Sequence, residues 1–238
     1  MSQVPRYMVI GNGRLARHML HYLRLLNLGR CHWHRQLALS DLSQLLPQCS
    51  HVLLLIRDDA ITTFAQTHLQ DFSGTIIHCS GSLVTDAAYG AHPLMAFGQQ
   101  FYNLARYQSI PFIVDEGAPA FAQLFPGLSN PEARITPALK ARYHALCVLS
   151  GNFSCMLWQK FFSELEGFGW PHDIGRPYLQ QQTLNIAQNY QTALTGPLVR
   201  QDLKTIRRNL QALEDDPFQA VYQSFVECYY RLQKDKTP

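Results

Sequence analysis

In the first 135 positions the chain alternates short strand-like runs with helical patterns, which is the signature of a mostly parallel sheet with crossover helices. Strands are predicted at 7–10, 30–34, 52–56, 75–79 and 111–115. Between the first two, Leu15, Met19, Tyr22 and Leu26 fall on one face of a helix that Gly29 is placed to close. Ile61, Phe64, Ala65 and Leu69 mark a shorter second helix.

Beyond position 135 the pattern becomes wholly helical. Thr136-Pro137 reads as a helix opening, a capping hydroxyl with proline at the first helical position. Leu139, Tyr143, Leu146, Phe153, Leu157 and Phe161 then recur at helical spacing. The stretch from Gly167 to Gly175 interrupts it, and Pro177 opens the next helix. Asp202 is placed to cap a helix that turns Leu203, Ile206, Leu210 and Leu213 inward. Asp216-Pro217 opens the last, which is expected to bury Phe218, Val221, Phe225, Tyr229 and Leu232. The sequence therefore divides into an α/β domain at 1–135, with a mostly parallel sheet, and an all-α domain at 136–238.

Composition narrows the class. With 238 residues, 47% of them hydrophobic, the chain can bury a substantial core without covalent staples. The six cysteines are scattered, with no C-x-x-C pair, so they read as reduced core residues of a cytoplasmic protein and not as a metal site. Apolar runs such as Val52 to Ile56 are far shorter than the roughly 20 residues of a membrane span. The opening M-S-Q-V-P-R-Y lacks the apolar core of a secretory signal. A net charge of +3 with dispersed basic residues gives no footprint for nucleic acid, whereas an anionic small molecule fits.

The most informative stretch is V-I-G-N-G-R-L-A. Gly11, Gly13 and Ala16 form G-x-G-x-x-A between a predicted strand and a predicted helix, where the dinucleotide fingerprint requires it. Gly11 permits the sharp turn, Gly13 removes a side chain where a diphosphate approaches, and Ala16 keeps the helix close to the sheet. Asn12, Arg14 and Leu15 complete the turn, and the first helical amides offer unpaired N–H groups to phosphate. About 20 residues further on, a cofactor with a free ribose hydroxyl wants an acid. The chain offers His34 and Arg35 instead, with no acid before Asp41. A guanidinium suits a 2′-phosphate, so NADP is preferred over NAD, unless Arg35 is merely a solvated strand end.

Other candidates stand at the carboxyl ends of predicted strands, where open α/β sheets build their crevice. Ile56 and Arg57 follow the third strand, and Asp59 there either caps the next helix or meets ligand. Ser80 and Gly81 follow the fourth and either line the nicotinamide side or form a plain turn. His92, before Pro93, is placed to hydrogen-bond a substrate or to serve the core. Lys140 and His144 lie four apart on one helix face, with Gly151 returning to nearly the same direction and Asn152 about a third of a turn away. Two proton donors over bare backbone suit a reacting carbonyl or hydroxyl. Arg200, beyond the Thr195-Gly196-Pro197 loop, offers a fork for carboxylate or phosphate.

Taken in order, V-I-G-N-G-R-L-A, D-D-A-I, H-C-S-G-S, A-H-P-L-M-A-F, K-A-R-Y-H-A and L-T-G-P-L-V-R-Q-D resemble the 6-phosphogluconate-dehydrogenase-like superfamily. Its relatives include ketopantoate reductase and pyrroline-5-carboxylate reductase. Within it the chain looks most like a branch that couples a Rossmann-like domain to a helical C-terminal domain of unknown function. The resemblance implies a nicotinamide cofactor, a helical second domain that commonly dimerises, and a cleft between the domains. It also implies Lys140, Tyr143, His144 and Asn152 on a cleft helix and Thr195, Gly196, Pro197 and Arg200 in a cleft loop. Two departures stand out: Arg57 where relatives usually carry proline, and Gln201 where they tend to carry glycine. The expectation is an NADP-dependent oxidoreductase acting on a small, carboxylate-bearing carbonyl or hydroxy compound, the alternative being a non-catalytic protein that binds or senses a dinucleotide.

Overall fold

The structure is a computed structural model that describes residues 4–234. It divides into two compact units, residues 1–155 and 156–238. The first thus carries about 20 residues past the end of the α/β pattern, and those residues include Lys140 and His144.

In the first unit, seven strands form one sheet in the order β2-β1-β3-β4-β5-β6-β7. They are β1 (Arg6–Ile10), β2 (Gly29–Trp33), β3 (His51–Leu54), β4 (Thr75–His78), β5 (Tyr89–Pro93), β6 (Phe112–Asp115) and β7 (Glu132–Ile135). All neighbours run parallel except β5 and β6, which are antiparallel. The helices are α1 (Arg14–Leu25), α2 (Leu39–Leu45), α3 (Asp58–His68), α4 (Leu104–Gln108), α5 (Phe121–Leu124) and α6 (Pro137–Cys147). After α6 comes a π-type turn, Val148–Phe153.

Alternate residues of the central strands feed opposite faces, as a period of two requires. Tyr7, Val9, Leu53 and Ile77 pack on one side with Ala16, Met19 and Tyr22 of α1 and with Tyr107 and Phe121. Met8, Ile10, Val52 and Leu54 pack on the other with Trp33, Leu42, Ile61 and Ala65. Both faces are covered, which is why β1 and β3 read as unbroken apolar runs.

Local corrections have local causes. Helix α1 ends at Leu25, and the left-handed residue after it is Asn27 (φ 54°), so Gly29 opens β2 and closes nothing. Thr136 occupies the cap position of α6, but its hydroxyl makes no capping bond. Asp59 is not the cap of α3 either; Arg57 takes that position, with Asp58 and Asp59 in the first turn. The π-type turn breaks the spacing on which Gly151 and Asn152 were aligned with Lys140, and both are exposed.

The second unit contains α7 (Ser154–Gly167) from its third residue onward, α8 (Arg176–Gln188), α9 (Leu203–Ala212) and α10 (Phe218–Lys234). Asp202 caps α9 as expected, its carboxylate accepting from the Thr205 amide at 3.0 Å. Asp216 does the same for the start of α10, accepting from Phe218 N–H at 2.8 Å. Leu165, Ile206 and Val226 are buried, with Trp158, Phe161, Phe162 and Tyr178 in ring contact. The inward faces expected for α9 and α10 are only partly so: Leu203, Val221, Phe225 and Leu232 are exposed. Not every cysteine is a core residue, since Cys155 and Cys228 are exposed; all six are free thiols. Among the described residues no helix is long and apolar enough to cross a membrane.

Candidate functional site

The chain leaves β1 for β2 on one side and crosses to β3 on the other, so the strand order reverses at β1. Open α/β sheets form their ligand crevice at such a point. A cavity of about 760 Å³ lies there, lined by residues 11–16 and by others that follow β2, β3 and β4.

The two glycines of the turn do different work. Gly11 has φ +132°, and a Cβ on it would stand 2.1 Å from the Leu55 carbonyl oxygen, so no side chain fits. Its carbonyl accepts from His32 Nε2 at 2.7 Å, which ties the turn to β2. Gly13 has an ordinary φ of −72°, and a Cβ there would meet nothing within 4 Å. Its missing side chain is open space at the start of α1, where no side chain caps the helix. The first-turn amides are therefore free to receive an anion. This is the geometry that a diphosphate needs, and nothing of the protein fills it.

Asn12, Arg14, Leu15, His34, Arg35, Ile56, Arg57 and Ser80 all line this cavity. His34 and Arg35 stand just past β2, with Arg35 exposed. Arg57 lines the cavity but is held in an ion pair by Asp59. Sequence reasoning missed Asp58, which accepts a hydrogen bond from the Ser80 hydroxyl at 2.5 Å and also lines the cavity.

Gly81 lies off the cavity wall, in a second cluster within the same unit. A Cβ on it would come within 2.7 Å of His144 Nδ1 and 3.4 Å of the His92 ring. His92 Nδ1 and the Tyr143 hydroxyl share a hydrogen bond of 2.7 Å. The rings of His92 and His144 stand edge to face, 6.1 Å between centroids. Burial, reinforced by the neighbouring His144, pushes His92 down to about 4, so the Tyr143 partner is a neutral imidazole at neutral pH. Burial also holds the Tyr143 hydroxyl well above its ordinary value.

Lys140 is buried, 3% exposed, and its Nζ meets Asp115 Oδ1 at 2.6 Å. The other Asp115 oxygen accepts from the Gly90 amide at 3.0 Å. A Cβ on Gly90 would stand 2.4 Å from that oxygen and 2.6 Å from Lys140 Nζ, so the site needs glycine there. Beside them, fully buried His78 accepts from the Ser80 amide through Nδ1 at 3.2 Å. Its Nε2 has no hydrogen-bond partner among the described residues. Burial first, and the Lys140 charge second, push His78 down to about 4. In the sequence His78 reads only as the first residue of H-C-S-G-S and Asp115 only as the end of a predicted strand, neither as a site residue.

Lys140, His144, His92, Tyr143 and Gly81 are thus brought together, next in the chain to Ser80 on the cavity wall. Asn152 is exposed on the π-type turn and stands outside the cluster's hydrogen bonds. Thr195, Gly196, Pro197 and Arg200 belong to the second unit, in the connection between α8 and α9. There Gly196 is left-handed (φ +92°) and Arg200 N–H donates to its carbonyl at 3.2 Å.

A seven-stranded, mostly parallel sheet with its open cleft after β1 defines a Rossmann-like α/β protein, here followed by a helical C-terminal part. Comparison with known proteins agrees with that fold. Residues 112–228 match a domain of unknown function (DUF2520). A protein from Bacteroides fragilis, provisionally described as an NADP oxidoreductase, superposes with a TM-score of 0.77 at 19% identity, covering 95% of this chain and 98% of that one. A protein from Thermotoga maritima gives 0.70 at 21% identity over 98% of this chain and 100% of that one. An imine reductase from Aspergillus terreus, solved with NADPH4, gives 0.60 at 13% identity over 98% of this chain and 95% of that one. No curated protein matches the sequence.

Proposed function

We propose that the chain is an NADP-dependent oxidoreductase acting on a small carbonyl, imine or hydroxy compound that carries a carboxylate. The observation that carries this reading is the empty space at Gly13, open to the first-turn amides of α1 at the mouth of a cavity large enough for a nucleotide. His34 and Arg35 stand where a 2′-phosphate would sit, with no acid there to choose a free ribose hydroxyl. Fold neighbours named for NADP chemistry support the same choice: the imine reductase above, and a pyrroline carboxylate reductase from Plasmodium falciparum solved with NADP.

When bound, the cofactor supplies or accepts a hydride. The chain's own groups would manage charge and protons at the other reactant. The Lys140 ammonium, fixed by Asp115, offers a positive charge to a developing oxyanion or to a carboxylate. Either Lys140 or His144 hands on the proton, and Tyr143, braced by His92, orients the substrate. Ser80 and Gly81 connect the cofactor cavity to this cluster through two consecutive residues. Thr195, Gly196, Pro197 and Arg200 enter the proposal from the resemblance alone, as substrate contacts.

The test is a screen of NADPH oxidation against pooled 2-oxo acids and cyclic imines, followed by Lys140→Ala and His144→Ala on any hit. Turnover that falls at least about a hundredfold in one of these variants, with NADPH affinity retained, is expected for removal of a general acid or of an electrostatic stabiliser. Tight NADPH binding with no turnover on any pool, and an unaltered affinity in Lys140→Ala, would support a dinucleotide sensor instead.

A further inference from the structure

The cavity has two ends. The turn at Gly13 fixes where a diphosphate sits, and the group that reads the adenosine ribose follows β2, so the nicotinamide half extends toward the ends of β3 and β4. The groups there are Ile56, Arg57, Asp58, Cys79 and Ser80.

Asp58 is the charged group of interest at that end. Arg57 beside it is already neutralised by Asp59 in an ion pair. Asp58 has no ion-pair partner among the described residues; Ser80 donates its hydroxyl to Oδ2 at 2.5 Å. That serine is itself held, its Oγ accepting from the amides of Ser82 and Leu83 at 3.3 and 3.0 Å. The carboxylate is thus anchored through one oxygen on the cavity wall.

We propose that Asp58 makes the cavity discriminate between the two redox forms of its cofactor, binding the oxidised, positively charged nicotinamide ring more tightly than the neutral reduced ring. The inference rests on the dinucleotide reading above and adds to it a residue and a preference that the glycine turn does not supply. The oxidised and reduced cofactors share every phosphate, ribose and adenine contact, so their affinities differ only through the ring and what faces it. A carboxylate without an ion-pair partner that faced the ring, in a partly screened site, would give the cationic form roughly a tenfold preference.

Equilibrium titrations of the full chain with NADP+ and with NADPH, in the wild type, Asp58→Asn and Asp58→Glu, test this without any substrate. The expected result is a Kd ratio favouring NADP+ by about tenfold in the wild type, kept in Asp58→Glu and lost in Asp58→Asn, with the Kd for NADPH little changed. An unchanged ratio in Asp58→Asn overturns the assignment of Asp58 and leaves the dinucleotide reading standing. Absence of binding of either form to the wild type overturns that reading, and this inference with it. Because the ratio is taken within one protein, a partly destabilised variant still reports it. Should Asp58→Asn not fold, Asp58→Ser removes the charge while keeping a side-chain oxygen, and the same ratio decides.

Discussion

At the scale of single residues, the two glycines of the first turn separate folding from binding. Gly11→Ala forces a left-handed backbone and a clash with the Leu55 carbonyl, and is expected to destabilise the protein by about 2–4 kcal/mol in urea denaturation. Gly13→Ala has an allowed backbone and open space, so its unfolding midpoint should stay within about 0.5 kcal/mol of wild type. It should nevertheless weaken dinucleotide binding about tenfold or more, because the added methyl stands where the diphosphate must come. Buried His78 makes a prediction with a sign. Its folded value of about 4 lies below the ordinary 6.5, so the unfolded chain takes up the proton first as pH falls. Its contribution is complete above pH 6.5 and is lost progressively toward pH 4, a loss on the order of 3 kcal/mol. His92, with the same shift, adds to the slope. Urea midpoints measured across that window should rise with pH, and less steeply in a folded His78→Gln variant.

At the scale of elements, the ion pair of Lys140 and Asp115 joins α6 to β6 and, through the Gly90 amide, to β5. Asp115→Asn leaves a buried cation without its partner and is expected to cost about 3 kcal/mol or more, whereas adding Lys140→Met to it should recover much of the loss. A double-mutant cycle on unfolding free energy measures that coupling. The same network explains what was hard to read in the sequence. Strands β1 and β3 were legible because both faces are buried and, after Arg6 and His51, their residues are apolar. Strand β5 was not, since Gly90 is there to make room for Asp115 and Lys140, and Pro93 ends the strand, so strand-forming residues were excluded where the site is built. Strand β7 escaped for another reason: its Glu132, Ala133 and Arg134 are exposed at a sheet edge and show no alternation. The glycine turn, Lys140 and His144 were readable from spacing alone. Asp58, Asp115 and His78 were not, because their importance comes from partners 22 to 25 residues away or more.

At the scale of the whole molecule, the second unit leaves many large apolar side chains exposed, among them Phe168, Trp170, Tyr178, Tyr190, Phe225 and Leu232. Scattered exposure is ordinary, but this density on one helical unit is the ground for proposing self-association. A homodimer is therefore expected, with light scattering giving twice the mass of 27.2 kDa at micromolar concentration, and Phe225→Asp together with Leu232→Asp shifting the species toward monomer. In the first unit no described side chain closes the cleft at Gly13, and the ligand proposed for it is a doubly charged diphosphate. Thermal unfolding of the wild type with NADP, with NAD and with neither tests it most directly. A ligand at a hundred times its Kd adds about 2.7 kcal/mol, which is roughly 5–10 °C for a chain of this size. The account predicts a rise of that order with NADP and a smaller one with NAD at the same concentration, with both falling sharply in Gly13→Ala. No shift with either nucleotide would contradict it.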